Sequence, residues 1–298
     1  MADRLTGIEV FVRAIRAGGL SAAAREMRMS PAMAGKHLDA LEHRLGITLV
    51  RRTTRRLSLT EAGQGFLEGA ERLLGELAEV EAEASAGTAE VQGLLRVAVP
   101  VSYGTLHIAP LVPGFTRLHP KVTIELGLND RHVDLMDEGW DLAIRIGRLP
   151  DSSLVARKLA PAPAIICAAP GYLAERGIPA TIAELGAHDC LGYTLANSVG
   201  TQSWSFGKDG AIKVPVHGSL HANNGEALLA AAIAGQGLIY GPTFIAAQAL
   251  AKGQLVPVLL DVPLIDFGAV YAVTRPDRRP SLKTRAWVDY LGSALASL

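Results

Sequence analysis

Residues 11–63 read FVRAIRAGGLSAAAREMRMSPAMAGKHLDALEHRLGITLVRRTTRRLSLTEAG. Apolar residues in the first part of this stretch recur at spacings of three and four, which predicts three short helices. Gly18-Gly19 ends the first of them, and Ser21 is placed to cap the second. After residue 46 the pattern changes to short alternating strands on either side of an arginine run. Three helices followed by a hairpin predict a winged helix-turn-helix.

The third helix is the candidate recognition helix. It is predicted to begin at Pro31, with Ser30 as its N-cap, and to end near Arg44. About fourteen residues at 1.5 Å per residue span roughly 21 Å, which is enough to lie across a DNA major groove. We expect Lys36 and His37 to point outward. The residues expected to face inward are Met33, Leu38, Leu41 and Leu45.

The charge of the chain changes sign between its first two segments. Residues 1–60 carry eleven Lys and Arg residues against five acidic ones, a net charge of +6. Residues 61–90 carry Arg72 against eight glutamates, a net charge of −7. A basic segment with helical patterning predicts a polyanion such as DNA as its partner, because each neutralised phosphate releases counterions. The arginines at the hairpin tip are expected to lie beside phosphates.

A long helix is predicted after the hairpin, with Thr60 as its cap and Glu61 in its first turn, where the helix dipole favours an acid. Apolar residues along it alternate in spacings of four and three, the period of a two-stranded seam. This pattern favours a dimerisation helix, and an ordinary helix packed on its own domain is the alternative. The seam residues are Phe66, Ala70, Leu73, Leu77, Val80 and Ala84.

The rest of the chain alternates apolar strands with helical stretches, which predicts parallel α/β layers. Helices are expected from about Gly104 to Leu118 and over residues 130–139. Crossovers near Pro161 and Asp266 predict two lobes with a ligand cleft between them. The expected segments are a DNA-binding head at 1–60, a linker helix at 61–90, and an effector-binding body at 91–298, with lobe I at about 91–163 and 266–298 and lobe II at about 164–265.

Other protein classes are disfavoured by what the sequence lacks. It begins MADRLTGIEV, without an apolar signal segment, and holds no run long enough to span a bilayer, so a cytoplasmic, nucleoid-associated protein without a membrane partner is expected. Cys167 and Cys190 lack metal or redox spacing, which favours ordinary buried thiols. Without a phosphate loop, nucleophile elbow or metal-spaced histidines, no enzyme activity, cofactor or metal is expected. The acidic residues interpreted as a solvated helix face are Asp130, Asp134, Asp137 and Asp141.

The chain resembles the LysR-type transcriptional regulators over nearly its whole length. Residues 11–63 are similar to the winged helix-turn-helix of that family. In the body, the motifs similar to a large subgroup with aromatic-, quinone- and stress-responsive members are IAPLVPGFTRLHP, DEGWDLAIRIGRLPDSSLVARKLAP, CAAPGYL, HDCLGY and ANNGEAL. The resemblance implies a homo-oligomer, dimeric or tetrameric, that binds promoter DNA and holds a small co-inducer between two lobes of periplasmic-binding-protein type. Contact with RNA polymerase is compatible with that role.

The resemblance assigns a DNA-binding set on the helix-turn-helix and the hairpin. The family commonly has hydroxyl residues where this chain has Ala32 and Gly35, so those contacts do not carry over. Lys36, His37 and the Pro31 end of the helix remain candidate readers, and Arg52 is a candidate phosphate clamp. The full candidate set is Ser21, Ser30, Pro31, Ala32, Met33, Gly35, Lys36, His37, Arg51, Arg52, Thr53, Arg55 and Arg56.

The resemblance implies effector contacts at the turns that end the first two strands of the body, and the start of a helix in lobe II is a further candidate. Ser102 could equally be an N-cap, and so could Asn223 and Asn224. Arg145 ends a buried strand and needs a partner, either a ligand carboxylate or an acid such as Asp141. The candidate set is Val101, Ser102, Tyr103, Asp130, Arg131, Arg145, Asn223 and Asn224. Helix N-termini at the cleft favour an anionic guest.

Two other functions fit parts of the sequence. A solute-binding protein shares the two-lobed body, but the basic head and the absence of an export signal count against it. An enzyme that uses the cleft lacks a catalytic set. The sequence therefore favours a DNA-binding regulator that responds to a small molecule.

Overall fold

The structure is a computed structural model of the chain. The described residues are 4–52, 57–84, 90–131, 133–135, 138–149, 154–196, 198–276 and 280–296. The chain divides into two compact units, Met1–Glu90 and Val91–Leu298. Within the described ranges, no helix combines the length and the apolar character needed to cross a membrane.

The first unit, called the head, is built from helices and one hairpin. Its apolar core is formed by one face of each helix, with Phe11 and Leu38 fully buried. The hairpin pairs Val50 with Leu59 and Arg52 with Leu57, antiparallel, as predicted. The elements in chain order are α1 Arg4–Arg16, α2 Leu20–Glu26, α3 Pro31–Leu45, β1 Val50–Arg52, β2 Leu57–Leu59 and α4 Glu61–Ala84.

Three sequence-based expectations about the head are wrong. Gly19, not Ser21, occupies the N-cap position of α2, because the helix begins one residue earlier at Leu20. Met33 is 52% exposed because Ala34 fills the inward position of the first turn, and Leu45, the last residue of α3, is 36% exposed. His37 is half-buried instead of pointing outward, and its Nδ1 makes no hydrogen bond with a described residue.

The linker helix α4 has two different halves. Thr60 caps it, with its hydroxyl accepting a hydrogen bond from the amide of Gly63 at 2.9 Å. Near its start, Phe66 packs edge-on against Phe11 at 5.5 Å between ring centroids, and Ala70 is buried, so this half packs on the head. Further along, Leu73 is 45% exposed and Val80 is 59% exposed. The first half of α4 is therefore an ordinary helix packed on its own domain, which was the alternative to a dimerisation helix. The second half carries exposed apolar residues, Leu73 and Val80, on one stripe.

The second unit, called the body, has two lobes joined by two chain crossings. The elements in chain order are β3 Gly93–Val99, α5 Val101–Tyr103, a π-helical turn Gly104–Ile108, a 3-10 turn Ala109–Leu111, α6 Val112–Leu118, β4 Val122–Leu128, β5 Leu142–Gly147, β6 Val155–Pro161, β7 Ala164–Ala168, α7 Pro170–Arg176, a 3-10 helix Ile182–Ala187, β8 Gly192–Tyr193, β9 Ser203–Phe206, β10 Ile212–Pro215, β11 His221–Ala222, α8 Gly225–Ile233, β12 Ile239–Pro242, α9 Thr243–Ala251, β13 Val256–Pro257, β14 Ala269–Thr274 and α10 Leu282–Leu295.

Lobe I is a five-stranded sheet in the order β4-β3-β5-β14-β6. Strand β3 runs parallel to β4 and β5, but β14 is antiparallel to both β5 and β6. The sheet is therefore mixed and not wholly parallel as predicted, because β14 returns from lobe II. The crossings follow Pro161 and precede Ala269, where the sequence placed them. Lobe II holds the sheet β12-β7-β13 around a separate core.

The helix expected over residues 130–139 is not formed by its described part, which consists of turns and bends. Side-chain contacts hold this segment in place instead. Val133 and Leu135 are buried against the sheet face that carries Ala98 and Ala143. The carboxylate of Asp141 accepts a hydrogen bond from the amide of Arg96 at 2.8 Å. The acidic residues are therefore not one solvated helix face, and Asp137 lies outside the described residues.

Candidate functional site

The start of α3 is the exposed end of the helix-turn-helix. The turn before it contains Arg28 with φ 53°, and left-handed backbone is costly for a residue with a Cβ. Ser30 caps the helix as predicted, with its hydroxyl accepting from the amide of Met33 at 3.2 Å. Burial of Ala34 and Leu38 leaves Pro31 and the residues beside it facing solvent.

The predicted DNA-binding residues lie on two neighbouring parts of the head. On α2 and α3 the exposed ones are Ser21, Ser30, Pro31, Ala32, Met33 and Lys36, while Gly35 and His37 are half-buried. On the hairpin, Arg51 is exposed on β1, and Arg52 is the last residue of the same strand. The predicted contacts Thr53, Arg55 and Arg56 lie outside the described residues.

Glu42 fixes the hairpin to the recognition helix, and sequence reasoning missed it. Its Oε1 accepts hydrogen bonds from the amides of Leu49 at 2.6 Å and Val50 at 3.0 Å. Both donors belong to buried residues. A signal was present in the sequence, because an acid in the last turn of a helix opposes the helix dipole and so needs another role.

The body encloses a cavity of about 240 Å³ between its lobes, at the ends of the strands of lobe I. Its wall is mainly apolar and includes residues from both lobes. Pockets for drug-sized ligands occupy about 300–1,000 Å³, so this cavity suits a smaller guest. The apolar and aromatic wall includes Val99, Ile144, Ile146, Ile165, Tyr193, Leu195, Leu228, Tyr240, Phe244 and Phe267.

Five of the eight predicted effector contacts line this cavity, namely Ser102, Tyr103, Asp130, Arg131 and Arg145. Val101, Asn223 and Asn224 do not line it. The N-cap alternative for Ser102 is not supported, because Pro100 occupies that position and no side chain caps the helix. The hydroxyl of Ser102 lies on a residue that is 5% exposed at the cavity wall. Burial raises the pKa of Tyr103 to about 12, so its phenol is neutral.

Asp130 joins the two lobes. Its Oδ1 accepts a hydrogen bond from the amide of Val101 at 2.8 Å, and its Oδ2 accepts one from the Nδ2 of Asn224 at 3.0 Å. The Oδ1 of Asn224 meanwhile accepts from the amides of Glu226 and Ala227, both at 3.1 Å. Asn224 is thus the N-cap of α8, as the N-cap alternative predicted, and its side-chain Nδ2 also donates to Asp130 across the cleft.

The two arginines of the cavity differ in their partners. Arg131 is paired with Glu138 through two hydrogen bonds of 3.2 and 3.1 Å. The amide of Asp134 and the guanidinium of Arg131 help to hold the pKa of Glu138 below its usual range. Arg145 donates to the carbonyl of Val133 at 3.3 Å, and no carboxylate among the described residues forms an ion pair with it. Arg145 therefore brings positive charge to an apolar wall.

Aromatic rings form a second contact between the lobes. Phe244, at the start of α9 in lobe II, meets Tyr103 edge-on at 5.0 Å and His107 at 5.7 Å between centroids. His107 lies in the π-helical turn, a feature that is frequent at functional sites. Burial lowers the pKa of His107, which keeps the ring neutral.

A third contact between the lobes involves Arg148, which sequence reasoning also missed. Its Nε donates to the carbonyl of Asp266 at 3.1 Å, beside the second crossing. Its Nη2 donates to the carbonyl of Lys208 and lies 3.9 Å from the carboxylate of Asp209, both in lobe II. An arginine just beyond the end of a strand gives no sequence signal for such a long-range contact.

The two cysteines are buried free thiols, as the sequence favoured. Burial raises the pKa of each to about 12, and the charge of Asp189 adds to the effect at Cys190. The reactive form of cysteine is the thiolate, so neither side chain is suited to nucleophilic chemistry. No group of three His, Cys, Asp or Glu residues suited to a metal ion occurs in the part of the chain that the structure describes.

Comparisons with known proteins agree with these two units. The family described as bacterial regulatory helix-turn-helix protein, lysR family, matches residues 5–64, and the LysR substrate binding domain matches residues 88–296. An uncharacterized HTH-type transcriptional regulator of Haemophilus influenzae is 36% identical over 258 residues, which cover 86% of this chain and 89% of that protein.

Two further similarities concern one regulator of Neisseria meningitidis. The HTH-type transcriptional regulator CrgA of serogroup C is 33% identical over 293 residues, covering 97% of this chain and 96% of CrgA. The solved structure of CrgA, a LysR-type transcriptional regulator, is similar with a TM-score of 0.63 at 31% identity. That similarity covers 97% of this chain and 98% of the other.

A winged helix-turn-helix in one unit and a two-lobed cleft in the other define a DNA-binding regulator with an effector-binding domain. The chain belongs to the LysR family of bacterial transcriptional regulators. LysR regulators bind promoter DNA and small-molecule effectors, form oligomers, and are not enzymes. The predicted fold class, the predicted family and the regulatory function are thereby confirmed.

Proposed function

We propose that this regulator binds its promoter through α3 and the hairpin, and that a small anionic effector in the cleft of the body controls that binding. The observation that carries the effector class is Arg145. Its guanidinium lies on a mainly apolar wall with a backbone carbonyl as its described partner. A charge in such surroundings is costly unless an opposite charge approaches it.

The size and composition of the cavity narrow the guest further. An apolar body fits the aliphatic and aromatic wall, and a single carboxylate fits Arg145. A second anionic group is disfavoured, because the carboxylate of Asp130 lies on the same wall and would repel it. The field of that carboxylate also acts on Tyr193, whose pKa is raised to about 12 by burial and, to a lesser extent, by the charge of Asp130. The proposed effector is a small monocarboxylate with an apolar or aromatic body.

Calorimetric titration with matched ligands tests this effector class. Small aromatic carboxylates are compared with their carboxamides, which keep the shape and lose the charge. We expect the wild type to bind the carboxylate at least about tenfold more tightly than the amide, because a charge-assisted bond is stronger. In Arg145→Gln the two should bind equally. Equal binding to the wild type would contradict the proposed anionic class.

Nuclease protection of the DNA upstream of the protein's own coding sequence tests the DNA-binding surface. Lys36→Ala should weaken specific binding, and Arg51→Ala should weaken specific and non-specific DNA alike, since phosphate contacts carry little sequence information. Each lost phosphate contact should flatten the salt slope by about one unit. Unchanged binding by both variants would mean that the DNA surface lies elsewhere on the head.

Dimerisation through α4 is the proposed basis of the oligomer. The exposed Leu73 and Val80 and the half-buried Leu77 form the stripe that a second copy would cover. Leu73→Glu with Leu77→Glu would place like charges in that seam, and sedimentation should show smaller species. The proposal also includes a tetramer, which sedimentation would detect. It further includes contact with RNA polymerase at the promoter on the nucleoid, which in vitro transcription would test.

A further inference from the structure

Met33 is a large apolar side chain on the exposed side of the recognition helix. It is 52% exposed, while Ala34, Leu38 and Leu41 of the same helix are buried in the core of the head. Packing inside the head therefore does not account for an apolar residue at this position. Single exposed apolar side chains are common on protein surfaces, so the position of Met33 has to carry the argument.

Met33 lies on the first turn of α3, which begins at Pro31. In helix-turn-helix proteins, the N-terminal residues of the recognition helix are those that contact base edges in the major groove. Ala32 and Lys36 are exposed beside it. The hydroxyl oxygen of Ser30 accepts the capping hydrogen bond from the amide of Met33, which leaves its O–H as a donor at the start of the helix. Beyond that hydroxyl, the exposed surface of this turn is apolar, with one cation at its edge.

Gly35 supports a close approach to this surface. A glycine inside a helix is destabilising relative to alanine, so it needs a reason. A Cβ at Gly35 would have no neighbour within 4 Å, which means that packing within the head does not require glycine here. Gly35 is two residues from Met33, so the two lie on opposite edges of the exposed face of α3, with Ala32 and Lys36 between them. Ala32 and Gly35 keep this face low, so a partner that lies along it can approach the backbone and contact the longer Met33 side chain at one edge.

The C5-methyl group of thymine is the apolar feature of the base edges in the major groove. Methionine is apolar, polarizable and flexible, and it adapts to irregular contacts. We propose that Met33 recognises the C5-methyl group of a thymine in the operator, with Lys36 drawing the helix toward the DNA. This inference rests on the proposed DNA-binding role of α3, and it names the base chemistry which that face selects.

Uracil substitution tests the contact, because uracil pairs like thymine and lacks only the methyl group. The full-length protein is first used to find the protected segment upstream of its own coding sequence. Each thymine in that segment is then replaced by uracil, and binding is measured for wild type and Met33→Ala. Burial of one methyl group corresponds to about fourfold in affinity. We expect about fourfold weaker binding by the wild type at one thymine in each half-site, and no such loss with Met33→Ala.

Leu45→Ala is the matched control, since Leu45 is an exposed apolar residue at the other end of α3. It should keep the uracil sensitivity of the wild type. Met33→Gln, which keeps the chain length and adds polar atoms, should lose that sensitivity and serves if Met33→Ala loses helix content. Uracil sensitivity that is absent from the wild type, or equal in the Met33 variants, would overturn the inference. Failure of the wild type to protect any upstream segment would instead contradict the proposed binding of that region through α3 and the hairpin.

Discussion

Two carboxylates, one in the head and one in the body, each accept hydrogen bonds from two donors that lie elsewhere in the fold. Glu42 accepts from the amides of Leu49 and Val50, at 2.6 and 3.0 Å. Asp130 accepts from the amide of Val101 at 2.8 Å and from the side-chain amide of Asn224 at 3.0 Å. The chemistry is the same, but the second donor of Asp130 belongs to the opposite lobe.

This difference separates a fixed contact from a releasable one. Both donors of Glu42 are backbone amides of buried residues in a single packed unit, so they lose their partner only if the head unfolds locally. The donor on Asn224 can exchange Asp130 for water when the lobes move apart, at little cost. The head is thus built to present one rigid surface, and the body is built to change its closure when an effector binds.

Loss of the fixed contact should have the largest effect. Glu42→Ala removes a charged acceptor and leaves two buried amides without a partner, which should lower the unfolding free energy of the head by about 3 kcal/mol. Hydrogen exchange at Leu49 and Val50 measures the loss directly. Glu26→Ala, an exposed acid on α2, is the control and should change little. Unchanged protection of both amides in Glu42→Ala would contradict the fixed role.

Loss of Asp130 should cost less, because its donors can reach water. Asp130→Ala should lower the unfolding free energy of the body by about 2 kcal/mol, since a charged acceptor with two donors is removed. Denaturant unfolding followed by tryptophan fluorescence reports this, because all three tryptophans lie in the body. A loss of unfolding free energy as large as that of Glu42→Ala in the head would mean that the contact of Asp130 is as fixed as that of Glu42.

The contact across the cleft can be separated from the cap of α8. Asn224→Ser keeps a capping oxygen and removes the amide donor, so it should cost about 1 kcal/mol and open the lobes. Asn224→Ala removes cap and donor, and should cost about 2 kcal/mol. Small-angle scattering of the two variants should show the same opening. Opening by Asn224→Ala alone would mean that the cap, and not the bridge to Asp130, holds the lobes.

Acidification should have the smallest effect, and it should act on the body. The pKa of His107 is lowered by burial, so the unfolded chain binds the proton more readily than the folded body does. Its contribution is complete above its ordinary pKa of about 6.5 and declines as the pH falls below it. Tryptophan fluorescence should show a lower unfolding midpoint at about pH 5.5 than at about pH 7.5. In His107→Phe, which keeps the ring contacts, the decrease should be smaller.

The spacing of apolar residues, together with capping and helix-ending residues, predicted the elements whose formation depends on local sequence. The helix-turn-helix, the cap by Ser30 and the hairpin follow from apolar spacing and from residues with strong positional preferences. Met33 was misplaced because a spacing rule assigned a face to it, whereas the smaller Ala34 fills the core position. Intervals of three and four cannot by themselves decide which of two adjacent apolar residues a core accepts.

Contacts between distant parts of the chain were beyond the reach of sequence patterns. The segment from Asp130 to Gly139 has a helical alternation of apolar and acidic residues. Its first residue is instead bonded to the amide of Val101, and Asp141, just after the segment, is bonded to the amide of Arg96. Arg148 and Glu42 act through partners that spacing does not connect. Of the cavity residues, Ser102 was accessible through the family resemblance, and Arg145 was accessible because a charge on a buried strand needs a partner.

The position of β14 also sets an order of assembly during synthesis. Strand β6 forms the edge of the lobe I sheet, and its described pairing is with β14, which leaves the ribosome after all of lobe II. Domains generally fold as they emerge, from the N-terminal side first. The DNA-binding head therefore folds before β14, the last strand of lobe I, has been synthesised. A nascent chain has a folded DNA-binding head before it has a cleft in which an effector could bind.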